Sequence, residues 1–171
     1  MRLTDILPIE KWIELEEDIH NRSGFDASVF GPDGMSITDF KKWANRLCPA
    51  VKANKKGQTF ICAVANQNLT RQAWRTRQPV IGECDAGLGK VVVPIFVGDE
   101  FLGAAGGCGM IIDGSEVESF LISKMTGIDE ERIEKLSKHI HRIPTNEAET
   151  LVEYIRKEID RIVNDFEGRR K

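Results

Sequence analysis

The sequence predicts an α+β domain: a five-stranded antiparallel sheet carrying a helical insertion, with helices flanking it at both ends. Three observations carry the prediction. The chain closes on a strongly periodic amphipathic segment, in which Leu151, Ile155, Ile159, Ile162 and Phe166 step by helical spacings. A β-branched run, Val91–Val97, meets a second strand-like stretch, Phe101–Ile112, across the hairpin loop Gly98-Asp99-Glu100. Near the start, Gly31-Pro32-Asp33-Gly34 is a strong turn signal between two short strand-like segments.

Taken in order, Trp12, Ile13, Glu16 and Ile19 give a helix over 9–21, ended by Ser23-Gly24. Phe25–Phe30 alternates as a strand, and Met35–Thr38 returns as a second one. Asp39 reads as the N-cap of a helix presenting Phe40, Trp43, Ala44 and Leu47 on one face. Pro49 disfavours helical geometry at Cys48 and predicts a break there, and 52–57 reads as a polar linker. Ala65, Leu69 and Ala73 then predict a helix over 60–77, with Arg71, Arg75 and Arg77 in water.

Pro79–Glu83 is strand-like. Beyond Ile112, Asp113-Gly114-Ser115 is expected to cap a helix holding Val117, Phe120, Leu121 and Met125, and another helix spans 129–139. A single domain over 1–171 follows, with its core at 9–112, a helical extension at 115–140 and the amphipathic closing helix at 145–167. Five strands joined mainly by hairpins, with one helical excursion over a sheet face, make a PAS-like order of elements that encloses a pocket.

Apolar residues are 41% of the chain and charged ones 30%, enough of a core to exclude disorder. A net charge of −3 gives no global positive field for nucleic acid. The polar N-terminus and the absence of a long apolar run lead to the expectation of a cytoplasmic protein without membrane segments. Thiols there stay reduced, so Cys48, Cys62, Cys84 and Cys108 are expected to be free thiols or metal ligands.

Those cysteines stand 14, 22 and 24 positions apart, with no Cys-x-x-Cys knuckle. Each lies on a different element bordering the expected pocket. Brought together, four thiolates suit tetrahedral zinc or an iron–sulfur cluster. Left apart, they are small buried hydrophobes, and redox sensing is a third reading. Gly103, Gly106, Gly107 and Gly109 crowd one strand, which calls for a bulge or for close approach to a bound group. His20, His139 and His141 form no ligand motif. No nucleophile elbow or zinc-protease helix occurs, so an enzyme is not expected.

The order Cys84-Asp85-Ala86-Gly87-Leu88, then Val93-Pro94-Ile95, Leu102-Gly103 and Gly106-Gly107, resembles the PocR sensory domain family. There a Cys-His-Ala-Gly-Leu segment precedes a Val-Pro-Ile strand, a hairpin and a strand ending in Gly-Gly-Gln. Cys48 and Cys62 stand where the family often carries cysteines. Asp85 replaces the family's histidine and Cys108 its glutamine. The resemblance implies a prokaryotic sensor domain for small organic molecules such as diols, working beside an output partner. Cys84, Asp85, Ala86, Gly87, Gly106, Gly107 and Trp74 are then the expected ligand contacts. Cys48, Cys62, Cys84 and Cys108 are the candidate ligands of a metal or cluster. The closing helix is expected either to pack on the domain's own sheet or to pair with a second copy as a short coiled coil.

Overall fold

The computed structural model describes residues 1–171. Helices α1 (Leu3–Ile6) and α2 (Ile9–Ser23) lead into strand β1 (Asp26–Phe30). Helices α3 (Leu47–Ala53) and α4 (Lys55–Gly57), a π-helical segment (Gln58–Ala63) and α5 (Val64–Thr76) form the excursion. Strands β2 (Val80–Glu83), β3 (Gly89–Val97) and β4 (Glu100–Ile112) follow, then α6 (Ser119–Thr126), α7 (Glu130–Ser137), β5 (Arg142–Ile143) and α8 (Thr145–Arg169). The sheet runs β1-β4-β3-β2 with antiparallel neighbours, and β5 adds to the end of β4 in parallel. The mixed α+β, PAS-like architecture is the one expected, although the strand set differs.

The sheet has two covered faces because β3 alternates two apolar sets. Val91, Val93 and Ile95 point to a core shared with Trp12 and Ile19 of α2 and Leu151, Ile155, Ile159 and Ile162 of α8. Each fully buried aliphatic side chain there contributes about 1.5–3 kcal/mol. The α8 stripe is thus consumed inside the domain, the first of its two expected fates. On the other face, Val92 and Ala104 meet Ala73 of α5. Leu47, Ile61, Ile122 and Ile133 pack α3, the π-helical segment, α6 and α7 around Leu88 and Ile111. No helix is long and apolar enough to cross a membrane.

Four local expectations are corrected. Met35–Thr38 forms no strand: only Ser36 bridges Phe30, while Ile37 N–H donates to the Val29 carbonyl. Asp39–Arg46 is not helical but an irregular strap, held by Lys41 on Asp26 and, just before it, by Thr38 on Glu16. Its aromatic spacing mimics a helix face, yet tertiary contacts decide the backbone. Pro49 does not break a helix, since it sits in the first turn of α3, where its missing N–H is one of the unpaired donors anyway. The 52–57 segment is helical rather than a linker, because the Asn54 side chain caps α4 by accepting from the Lys56 and Gly57 N–H groups.

Asp113 caps a different helix from the one expected. It accepts from the N–H of Thr145 at the start of α8, while 115–118 is irregular and α6 begins at Ser119. A two-residue parallel strand, Arg142–Ile143, is too short to leave a sequence pattern.

Candidate functional site

Between the sheet and the excursion lies a cavity of about 540 Å³. Its floor is Asp26, Ser28 and Phe30 of β1, Lys90 of β3 and Cys108 of β4, and the strap supplies Thr38, Phe40, Lys41 and Trp43. Cys48 and Lys52 of α3, Gln58 and Cys62 of the π-helical segment, and Cys84 after β2 complete the wall. All four cysteines therefore line one cavity, and each is half-buried and free. Another hollow of about 510 Å³ lies between α2 and α8, but charged surface side chains line it and it holds none of the candidate residues.

Local backbone devices aim the thiols. In β4 the register shifts so that Lys90 faces Cys108 while Gly89 faces Met110, leaving Gly109 as the extra residue of a bulge. Gly109 has φ +105°, a region closed to most side chains, and an added Cβ would stand 2.8 Å from Ala44 Cβ. The bulge breaks the alternation of β4, so Cys108 faces the cavity while Met110 and Ile112 both join the α8 core.

Asn45 clamps the facing wall. It accepts from the Cys48 N–H (2.8 Å), donates to the Gly109 carbonyl (2.7 Å), and reaches Cys48 Sγ at 3.3 Å. The sequence reading passed over this residue, although an Asn three positions before a helical cysteine is a recognisable capping pattern.

Cys84 opens a β-turn in which the Gly87 N–H donates to the Cys84 carbonyl (2.9 Å). Gly87 has φ +85°, and a Cβ there would collide with the Glu116 carbonyl. Cys62 projects from the π-helical segment, a widened turn of a kind found often at functional sites.

The remaining expected contacts fall elsewhere. Asp85 is exposed on the turn, and Ala86 is buried with its carbonyl accepting from Glu118 N–H. Gly106 and Gly107 lie within the sheet outside the cavity lining. A Cβ on Gly106 would strike the Val91 carbonyl, and one on Gly107 would stand 2.8 Å from Phe25 Cβ, so packing accounts for both glycines. Trp74 is half exposed and stacks on Phe101 at 5.8 Å, on the outer side of α5.

The cavity is electrostatically uneven. Lys41 binds Asp26 at 2.6 Å. Burial opposes the Lys41 charge, but the hydrogen bond and charge of Asp26 outweigh it and hold the ammonium above its usual pKa. Lys52 is pushed down, first by burial and then by neighbouring Lys41. Lys90 is only 4% exposed; it donates to Asn66 and sits 4.9 Å from the centre of the Phe30 ring. Burial raises the thiols of Cys48 and Cys84, and lifts Cys62 to about 11. Cys108 adds to all three, so the four thiols sense one another. Three buried side-chain oxygens have no partner: Asp26 Oδ1 and Gln58 Oε1, whose residues line the cavity, and Thr70 Oγ1, whose residue does not.

No group of three or more His, Cys, Asp or Glu side chains is arranged to hold a metal ion. The four thiols thus share a cavity without forming a single-ion site. His139 and His141 are exposed, and His20 bonds the Phe25 carbonyl at 2.8 Å.

No curated protein and no solved structure matches the chain significantly. The family model described as the sensory domain found in PocR matches residues 5–165, nearly the whole length. The chain belongs to the PocR sensory domain family.

Proposed function

We propose that this sensory domain works by taking a small molecule into the cavity beneath the strap and passing its presence to a partner protein. The observation that carries the reading is the pair of buried, unpartnered acceptors, Asp26 Oδ1 and Gln58 Oε1, on a cavity that also holds three lysines. A buried acceptor left unpaired costs about 1–3 kcal/mol, so a ligand that donates to it recovers that cost. Hydroxyl or amine donors suit these two oxygens. A negative group on the same ligand suits Lys52, whose charge is crowded by Lys41. A polar small molecule of hydroxy-acid type fits both demands.

Signalling is supported by the family itself and by the strap, which touches the cavity through Thr38 and Lys41 and the rest of the domain through Glu16 and Asp26. A partner that reads α8, a second copy of the chain included, meets its outward polar face, because the apolar stripe is buried. The role is sensory rather than catalytic. A cysteine-ligated metal or iron–sulfur centre, serving as sensed occupant or redox element, is the second reading; the four thiols on one cavity favour it.

Thermal unfolding of the whole chain against short hydroxy acids, diols and amines tests the first reading, with Ser28→Phe as a cavity-filling control. At a hundred times its Kd, a ligand adds about 2.7 kcal/mol, or roughly 5–10 °C in Tm for a chain of this size. A hydroxy acid that raises the Tm of the native chain and not that of the variant supports it. A panel that moves neither, or both alike, overturns it.

A further inference from the structure

We infer that the four cysteines form one ligand set for a polynuclear iron–sulfur cluster rather than for a single metal ion. The inference rests on the same cavity being the binding site of the domain and names the inorganic occupant of its thiol-lined wall.

Geometry separates the two kinds of centre. A single zinc ion requires four sulfurs about 2.3 Å from one point, which forces them against one another. Here no three candidate ligands are so arranged. A cluster places its iron atoms apart and gives each its own cysteine, so its sulfurs stand around a body instead of a point. Four half-buried thiols, on four separate elements, line one cavity of about 540 Å³ and lie near enough to act on one another, which leaves room between them for such a body.

The surroundings of the sulfurs fit the same centre. Donors already face them: Asn45 Nδ2 stands 3.3 Å from Cys48 Sγ, and the Leu88 and Ala86 N–H groups face the Cys84 sulfur. Hydrogen bonds to sulfur hold and tune clusters. Lys90 and Lys52 act on the Cys62 sulfur and Lys90 on that of Cys84, placing positive charge where four thiolates would gather negative charge. The cysteines are also placed by dedicated devices, namely the Gly109 bulge, the Asn45 clamp, the Gly87 turn and the π-helical segment. A set of inert buried thiols has no need of four separate aiming devices.

On binding, one iron–sulfur bond forms per cysteine and each thiol releases its proton to solvent. Iron and sulfide enter in the oxidation states that the cluster holds, so the protein transfers no electron.

The test uses the full chain prepared without oxygen, incubated with ferrous and ferric iron and sulfide, then desalted. Expected are broad visible absorption and at least two irons per chain with matching sulfide. Cys48→Ser and Cys108→Ser should each lose at least half of that iron while keeping the far-ultraviolet circular dichroism of the folded chain. A parallel arm adds zinc alone. Colourless, iron-free protein overturns the inference, as does equal iron in native and Ser variants, or one tightly held zinc that blocks iron uptake. A Ser variant that unfolds is replaced by its Ala counterpart, judged by the same readings. The organic panel, run on metal-free chain, is independent: a hydroxy-acid shift with no iron uptake sinks the cluster and keeps the ligand-sensing reading.

Discussion

The Thr38 hydroxyl donates to both oxygens of the Glu16 carboxyl, at 2.6 and 2.9 Å, and so fastens the strap over the cavity to helix α2. Glu16 is fully buried, and the Val29 N–H donates to the same carboxyl at 2.8 Å. Burial lifts its pKa from 4.5 to about 7; the two hydrogen bonds pull it down, Asp26 adds repulsion and Lys41 relieves some of it.

A raised carboxyl pKa has a definite sign. The folded chain holds the proton more tightly than the unfolded one, so the contribution is fully present below about 4.5 and is lost as pH rises to about 7. The expected loss across that window is roughly 3 kcal/mol. Urea unfolding at both pH values, in the native chain and in Glu16→Gln, measures it. The variant cannot ionise and should lack that part of the slope. Identical slopes would contradict the assignment.

Ile155 lies at the centre of the α8 stripe and is wholly buried against the sheet. Ile155→Ala should cost about 2–5 kcal/mol through lost burial and a residual cavity. Its Tm should not depend on protein concentration, because the stripe serves the monomer. A Tm that climbs with concentration in the native chain and not in the variant would place the stripe in a dimer seam instead.

Gly109 and Gly168 make a matched pair. Ala at 109 must adopt φ +105° and press on Ala44, so Gly109→Ala should destabilise by about 1–3 kcal/mol and change the alkylation rate of Cys108. Gly168 lies in α8 with open space where its Cβ would stand, so Gly168→Ala should be neutral or stabilising by up to about 1 kcal/mol. Denaturant midpoints for both decide whether the bulge carries the strain described.

Asn45→Ala removes the clamp between α3 and β4. It should cost about 1–2 kcal/mol and raise the reactivity of Cys48 above that of Cys62. Unchanged Cys48 reactivity would show that α3 is held by Leu47 and Val51 packing alone.

Helices α2 and α8 and strands β3 and β4 were legible because their side chains alternate or step with the period of the element that buries them. The strap was not. Phe40, Trp43 and Ala44 carry helical spacing, but Thr38 and Lys41 are bound to distant Glu16 and Asp26, partners no local pattern reveals. The same holds for Arg142–Ile143, which gains strand geometry only from Ile111 and Ile112 beside it. At the site, the sharing of one cavity by the four cysteines followed from their placement on four elements around it. Gly106 and Gly107 are crowded by Val91 and Phe25, a close approach that only the folded chain reveals. Asp26 and Gln58 left no sequence signal, because an unpartnered buried oxygen is visible only once the chain is folded.

The central claim is that the four thiols of Cys48, Cys62, Cys84 and Cys108 wall one binding cavity and respond together. Residue-resolved alkylation of the native chain, metal-free and after iron and sulfide loading, tests it most directly. All four are half-buried, so a small alkylating agent should reach each of them in the metal-free chain. Loading should protect all four in parallel, and stripping the iron should release all four together. Four unrelated protection curves, or protection of some cysteines with others untouched, would contradict the account.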